Sequence, residues 1–138
     1  DDDGAAARPA RPGDVIGLEV RAPATGKRFF FIGNCASLTP ALEQRLKGAA
    51  LVFFDGTLWS DDEMIKAGMS PKTGGRMGHV SMSGPGGSIA AFERLAVARK
   101  LFLHINNSNP ALLADSAERK ELERACWEVP ADGMEIRL

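Results

Sequence analysis

The chain has 138 residues, 44% of them hydrophobic and 25% charged, with a formal net charge of -1. That is the size and makeup of one ordinary globular domain. Lysine and arginine form no basic stripe, which argues against a nucleic-acid partner, and the longest apolar runs fall far short of the ~20 residues of a membrane span.

No signal-peptide pattern opens the chain, and it does not begin with Met. Cys35 and Cys126 are too few and too far apart for a disulfide scaffold or a zinc knuckle. A reducing, cytoplasmic setting is therefore expected.

Residues 1–13, within "DDDGAAARPARPGD", are small, charged and Pro-rich and read as a flexible linker or loop remnant. The folded part is expected over residues 14–138. "DVIGLEV" (Asp14–Val20) alternates like a half-buried strand, and "FFFI" (Phe29–Ile32) reads as a strand covered on both faces, the two forming a hairpin across a Pro- and Gly-bearing turn. "TPALEQRLKG" predicts a short helix with Thr39 as cap, Pro40 at its first position and Gly48 as its stop.

"LVFF" (Leu51–Phe54) is a buried strand ending at Asp55, and "SDDE" (Ser60–Glu63) has capping-box spacing ahead of another helix. Met69–Gly87 is Gly-rich and too long for a routine connector, which marks it as functional or disordered. "SIAAFERLAVAR" predicts an amphipathic helix with Ile89, Phe92, Leu95 and Ala96 on one face. "KLFLH" is a third buried strand, "DSAERKELERA" a charged helix and "MEIRL" a last strand.

A hairpin followed by strands alternating with helices is an α/β layer: one sheet with helices on at least one face. Each buried strand stops at a polar residue: Asn34, Asp55 or His104. Strand ends are where ligands bind in such layers, so the three can converge on one point, with His79 arriving from the Gly-rich loop.

Taken singly, each candidate keeps alternatives. His104 is a metal ligand, a general base, or a buried histidine bonded to a carbonyl. His79 is functional or merely solvated. Asp55 precedes Gly56 and Thr57 and suits a turn in which its carboxylate accepts from the next N–H groups. Asn106, Asn107 and Asn109 suit a turn in the same way. "GPGG" lacks the lysine and spacing of a nucleotide loop, though its place before a helix suits an anion. Cys35 reads as a packed thiol, and Cys126 has no partner signal. No HxH or HxxxH pair supplies a first metal clamp.

Four segments, in order, carry a resemblance: "FFDGTLWSDDEM", "GHVSMSGPGGSIAAF", "LFLHINNSNPAL" and "ERACWEVPADGMEIRL". Together they resemble the C-terminal half of the PqqB family of pyrroloquinoline quinone (PQQ) biosynthesis, which is similar to the metallo-β-lactamase superfamily. The resemblance implies an α/β fold: one mixed sheet with outer helices, half of an αββα sandwich holding metal between its sheets. It implies that the first metal motif and a structural zinc site belong to an N-terminal half, which would cover this chain as a companion or exchanged segment. This half alone would then be inactive.

By position, His104 matches the superfamily's final histidine ligand, while His79 and Asp55 resemble an acid–base pair beside the metal. Asn34 stands where two-metal hydrolases carry a bridging carboxylate, which argues for a single metal. The resemblance implies iron, shared with the other half, and hydroxylation of a tyrosine-derived precursor. The alternatives are a soluble carrier of the quinone or its precursor to the periplasm, and a metal-dependent hydrolase. Ser81, Ser83, Asn106, Asn107 and Asn34 are expected to contact a peptide-derived or quinone ligand or to support the metal's ligands.

Overall fold

The fold begins with the predicted hairpin. In this computed structural model, which describes residue 11 and residues 13–138, β1 (Leu18–Arg21) pairs antiparallel with β2 (Arg28–Ile32), Leu18 opposite Phe31. Most of the expected linker, residues 1–10 and 12, lies outside the described residues. The hairpin turn closes with Gly26 at φ +68, donating to the Ala22 carbonyl at 2.9 Å. Glycine adopts that conformation without strain.

From β2 onward each strand is added parallel to the last: β3 (Leu51–Asp55), β4 (Lys100–Leu103) and β5 (Trp127–Glu128), in the order β1-β2-β3-β4-β5. Parallel neighbours require crossovers, and helices occupy each. α1 (Pro40–Leu46) is capped as its sequence implies: the Thr39 side chain accepts from Leu42 N at 3.3 Å, and Gly48 turns left-handed at φ +69. The second crossover carries α2 (Glu63–Lys66), α3 (Gly74–Met77) and α4 (Ser88–Phe92). The third carries a 3-10 turn at Pro110–Leu112 and α5 (Ala117–Arg124), whose cap, Ser116, accepts from Arg119 N at 3.0 Å.

One face of the sheet packs on these helices. Phe30, Ile32, Val52, Phe54 and Phe102 meet Leu46, Phe92, Leu95, Leu122 and Trp127 in one core. Trp127 is its keystone: its ring stacks flat on Phe102 at 3.8 Å and edge-on to Phe92 at 4.9 Å. Each such side chain contributes roughly 1.5–3 kcal/mol by leaving water.

Several expectations need correction. The β2 run is not covered on both faces, because Phe31 is 44% exposed. Leu18 and Val20, on the same side, are exposed too. The first strand starts at Leu18 rather than Asp14, and it is not half-buried: only Glu19 is partly covered. "SDDE" forms no capping box, since Asp62 takes the cap position and Glu63 turns its carboxylate to Trp59 N at 2.7 Å.

The Gly-rich connector is ordered around α3. α4 ends at Phe92, and Ala96 is exposed at φ +51, because the Leu95 carbonyl is taken by Gly48 N at 2.8 Å and the chain must turn toward β4. The last strand is Trp127–Glu128 rather than Met134–Leu138. Arg99 fixes that register with a forked bond to Glu128, 2.7 and 2.8 Å, and Pro130 has no N–H to extend the ladder.

Candidate metal and acid–base site at the strand ends

The polar residues that stop the strands do converge. Asp55 closes β3, is 0% exposed, and carries the junction. Its Oδ2 accepts from Cys35 N at 2.8 Å and lies 2.8 Å from His79 Nδ1. Its Oδ1 accepts from Thr57 N at 3.1 Å and from the Thr57 hydroxyl at 2.6 Å. The Asp55 carboxylate thus closes the turn at Thr57 with one oxygen and bonds the His79 ring with the other.

Two backbone devices bring the strand ends together. Gly56 N donates to Leu103 O at 2.7 Å, continuing the ladder, and a Cβ on Gly56 would sit 2.8 Å from Phe102 Cβ. Only glycine allows that approach. At the end of β4, His104 adopts φ +56, a conformation costly for a side chain with Cβ. It sends the chain back so that Asn106 N donates to Thr57 O at 3.1 Å.

His79 arrives on the Gly-rich connector. Asp61 Oδ1 accepts from Gly75 N at 2.7 Å, Gly78 ends α3 at φ +88, and His79 N donates to Gly74 O at 2.9 Å. Val80 N then donates to Cys35 O at 2.7 Å. The His79 ring is pinned between Asp55 and Asn34, whose Nδ2 is 3.4 Å from His79 Nε2.

The His104 ring lies 5.3 Å from that of His79, with Nδ1 2.8 Å from the Thr57 hydroxyl, and its side chain is 58% exposed. Asp55, His79 and His104 each offer one ligand atom within 4.8 Å of the others. Burial, and then the Asp55 charge, push the Cys35 thiol up to about 11, so it is an inert packed thiol.

The other predicted contacts divide. Ser81 and Ser83 line a cleft of ≈ 470 Å³ beside His79, with Asp61 and Gly84–Gly87. The Ser83 hydroxyl donates to Trp59 O at 2.7 Å, so it also braces the cleft wall. Asn106 Nδ2 donates to the Ser108 hydroxyl at 2.8 Å, which bonds in turn to the buried Glu63 carboxylate. Asn106 thus holds the turn after His104, and Asn107 is exposed beside it. Asn109, 2% exposed, clamps the turn by donating to Gly56 O at 3.0 Å and accepting from Ala111 N at 2.9 Å.

Two residues escaped the reading of the sequence as site residues. Thr57 was visible only as a neighbour of Asp55, and Glu63 only as a helix cap. The Asp-x-Thr spacing was the available signal for the first, because a hydroxyl two residues after an Asp returns to its carboxylate.

The β-lactamase superfamily domain model matches residues 3–105. The chain belongs to the β-lactamase superfamily. Within that superfamily it is 61% identical over 126 residues to coenzyme PQQ synthesis protein B of Bradyrhizobium diazoefficiens, covering 91% of this chain and 41% of that protein. The protein of the same name from Rhodopseudomonas palustris is 56% identical over 129 residues, covering 94% and 42%.

The crystal structure of zinc-bound PqqB from Methylobacterium extorquens superposes with a TM-score of 0.85 at 45% identity, covering 88% of this chain and 43% of that one. A diphosphatase of the PhnP family superposes at 0.54 with 17% identity, covering 89% and 42%, and shares the fold alone. The chain therefore spans about two fifths of the length of the superfamily members it matches. The expected resemblance to PqqB, and the mixed sheet with helices of a metallo-β-lactamase-like fold, both hold.

Proposed function

We propose that this chain is the C-terminal part of a PqqB-type protein of PQQ biosynthesis and contributes one side of a single-metal centre that hydroxylates a tyrosine-derived precursor. The observation that carries the reading is the state of the carboxylate. Both oxygens of Asp55 are filled by the four protein donors Cys35 N, His79 Nδ1, Thr57 N and Thr57 Oγ1, which leaves no free lone pair for a bridge between two cations and supports a single metal. Asn34, a neutral amide, is a weak bridge.

The residues present fit a metal held from one side. His104 is the ligand, joined by an Asp and a His from the N-terminal half. The zinc-bound relative supports metal binding, and iron is the metal that supplies dioxygen activation. His79 lines the cleft with its Nδ1 held by Asp55 and its Nε2 3.4 Å from Asn34 Nδ2; exchanging that long contact would let Nε2 take the proton of a phenol or hold it in place. Among the described residues the cleft lining carries Asp61 and no lysine or arginine. That suits a phenol or an amine and gives a polycarboxylate quinone no counter-charge, which favours catalysis over carriage.

The N-terminal half, with its structural zinc, covers the sheet face that bears exposed Leu18, Val20 and Phe31. No helix among the described residues is long and apolar enough to cross a membrane. We place the protein in the cytoplasm, where Cys35 and Cys126 stay reduced.

The test is turnover by the full-length protein, loaded anaerobically with ferrous iron and exposed to oxygen with a two-electron reductant and a Glu-Tyr-type peptide. A product heavier by one oxygen atom from iron-loaded protein, and none from zinc-loaded protein, is expected. No product, with tight binding of the quinone, would make it a carrier.

A further inference from the structure

Thr57 lies at the centre of the cluster. Its hydroxyl is 2.6 Å from Asp55 Oδ1, 2.8 Å from His104 Nδ1 and 3.1 Å from His79 Nδ1. A hydroxyl has one proton and two lone pairs. An ionised carboxylate accepts only, so at 2.6 Å the Thr57 proton points at Asp55. Only lone pairs then remain for His104, and Nδ1 must bring the proton to that contact.

We infer that Thr57 is a positioning residue: its hydroxyl fixes His104 as the Nδ1–H tautomer and so presents Nε2, unprotonated, as the ligating atom. This rests on the reading of His104 as a metal ligand. Asp55 thereby sets both histidines, His79 directly through Oδ2 and His104 through the Thr57 hydroxyl. The relay is needed because His104 is 58% exposed and its Nδ1 is 3.9 Å from Asp55 Oδ1, beyond direct hydrogen bonding.

The backbone places Thr57 for this role independently of the hydroxyl. Thr57 N donates to Asp55 Oδ1, while Thr57 O accepts from Asn106 N at 3.1 Å. Replacing the hydroxyl by a methyl group leaves these bonds in place. An orienting partner of this kind changes metal affinity by about ten- to hundred-fold.

The experiment compares full-length wild type, Thr57→Val and Thr57→Ser. Long-range nitrogen–proton NMR reads the His104 tautomer in metal-free protein, in mildly alkaline buffer where an ordinary imidazole is neutral. Zinc titration reads affinity, and circular dichroism checks the fold. Wild type and Thr57→Ser should show the proton on Nδ1. Thr57→Val should shift it toward Nε2 and weaken zinc binding ten- to hundred-fold.

A wild-type His104 protonated on Nε2 would overturn the inference, whether or not Thr57→Val folds. So would Thr57→Val keeping the Nδ1–H tautomer, or Thr57→Ser failing to preserve it. If instead the tautomer behaves as expected while His104→Ala binds zinc as tightly as wild type, the ligand reading falls and the positioning role stands.

Discussion

Asp55→Asn keeps the side chain's shape and turns one oxygen into an NH2 group. Each oxygen of Asp55 faces a backbone N–H, Cys35 at 2.8 Å on one side and Thr57 at 3.1 Å on the other. A backbone N–H cannot reverse its role, so whichever way the new amide turns, one donor meets another. A buried donor left unsatisfied costs ~1–3 kcal/mol, and a lost bond to an ionised acceptor ~1.5–3 kcal/mol. The two costs overlap, and about 2–5 kcal/mol of destabilisation is expected. Urea unfolding of the full-length protein, followed by tryptophan fluorescence, should show the midpoint fall with an unchanged slope. A change below ~1 kcal/mol would show that the carboxylate does not hold the strand ends together. A gain in stability would show that burying its charge costs more than its bonds return.

Gly87→Ala should cost ~1–3 kcal/mol or more and deform the cleft beside His79, because the added Cβ would meet Ser83 O at 2.2 Å and Met82 O at 2.6 Å; urea titration checks it. Thiol reagents should label Cys126, which is exposed, and spare Cys35, which is 6% exposed with its thiol pushed up to about 11; peptide mass mapping distinguishes them. The same thiol makes stability depend on alkaline pH. Its folded value lies above the unfolded one, so its contribution is whole below the ordinary 9.0 and is lost as pH rises toward 11. The loss is on the order of 2–3 kcal/mol, and Cys35→Ala should remove that slope from denaturation measured across the interval.

What the sequence made legible was local. The Thr39 cap, Pro40 and Gly48 delimit α1 because they act within a turn of the chain. The strands that end in Asn34, Asp55 and His104 announced themselves by composition, and the parallel sheet then had to bring those ends to one edge. The misplaced elements are those decided at a distance. β5 sits where Arg99 grips Glu128, 29 residues away, and the charged tail offers no local sign of it. α4 ends at Phe92, and the chain turns away at Ala96, where Gly48 claims the Leu95 carbonyl. Thr57 and Glu63 were overlooked because their partners, His104 and Ser108, come from another strand end.

In the proposed function the end of β4 forms one wall of a single-metal site. Anomalous diffraction from crystals of a full-length PqqB-type protein carrying this chain, soaked in ferrous iron or zinc, addresses it most directly. A single-metal site predicts one metal peak bonded to His104 Nε2, with Asp55 still bonded to His79 and Thr57. Two metals bridged by Asp55, or a metal that leaves His104 untouched, would contradict it.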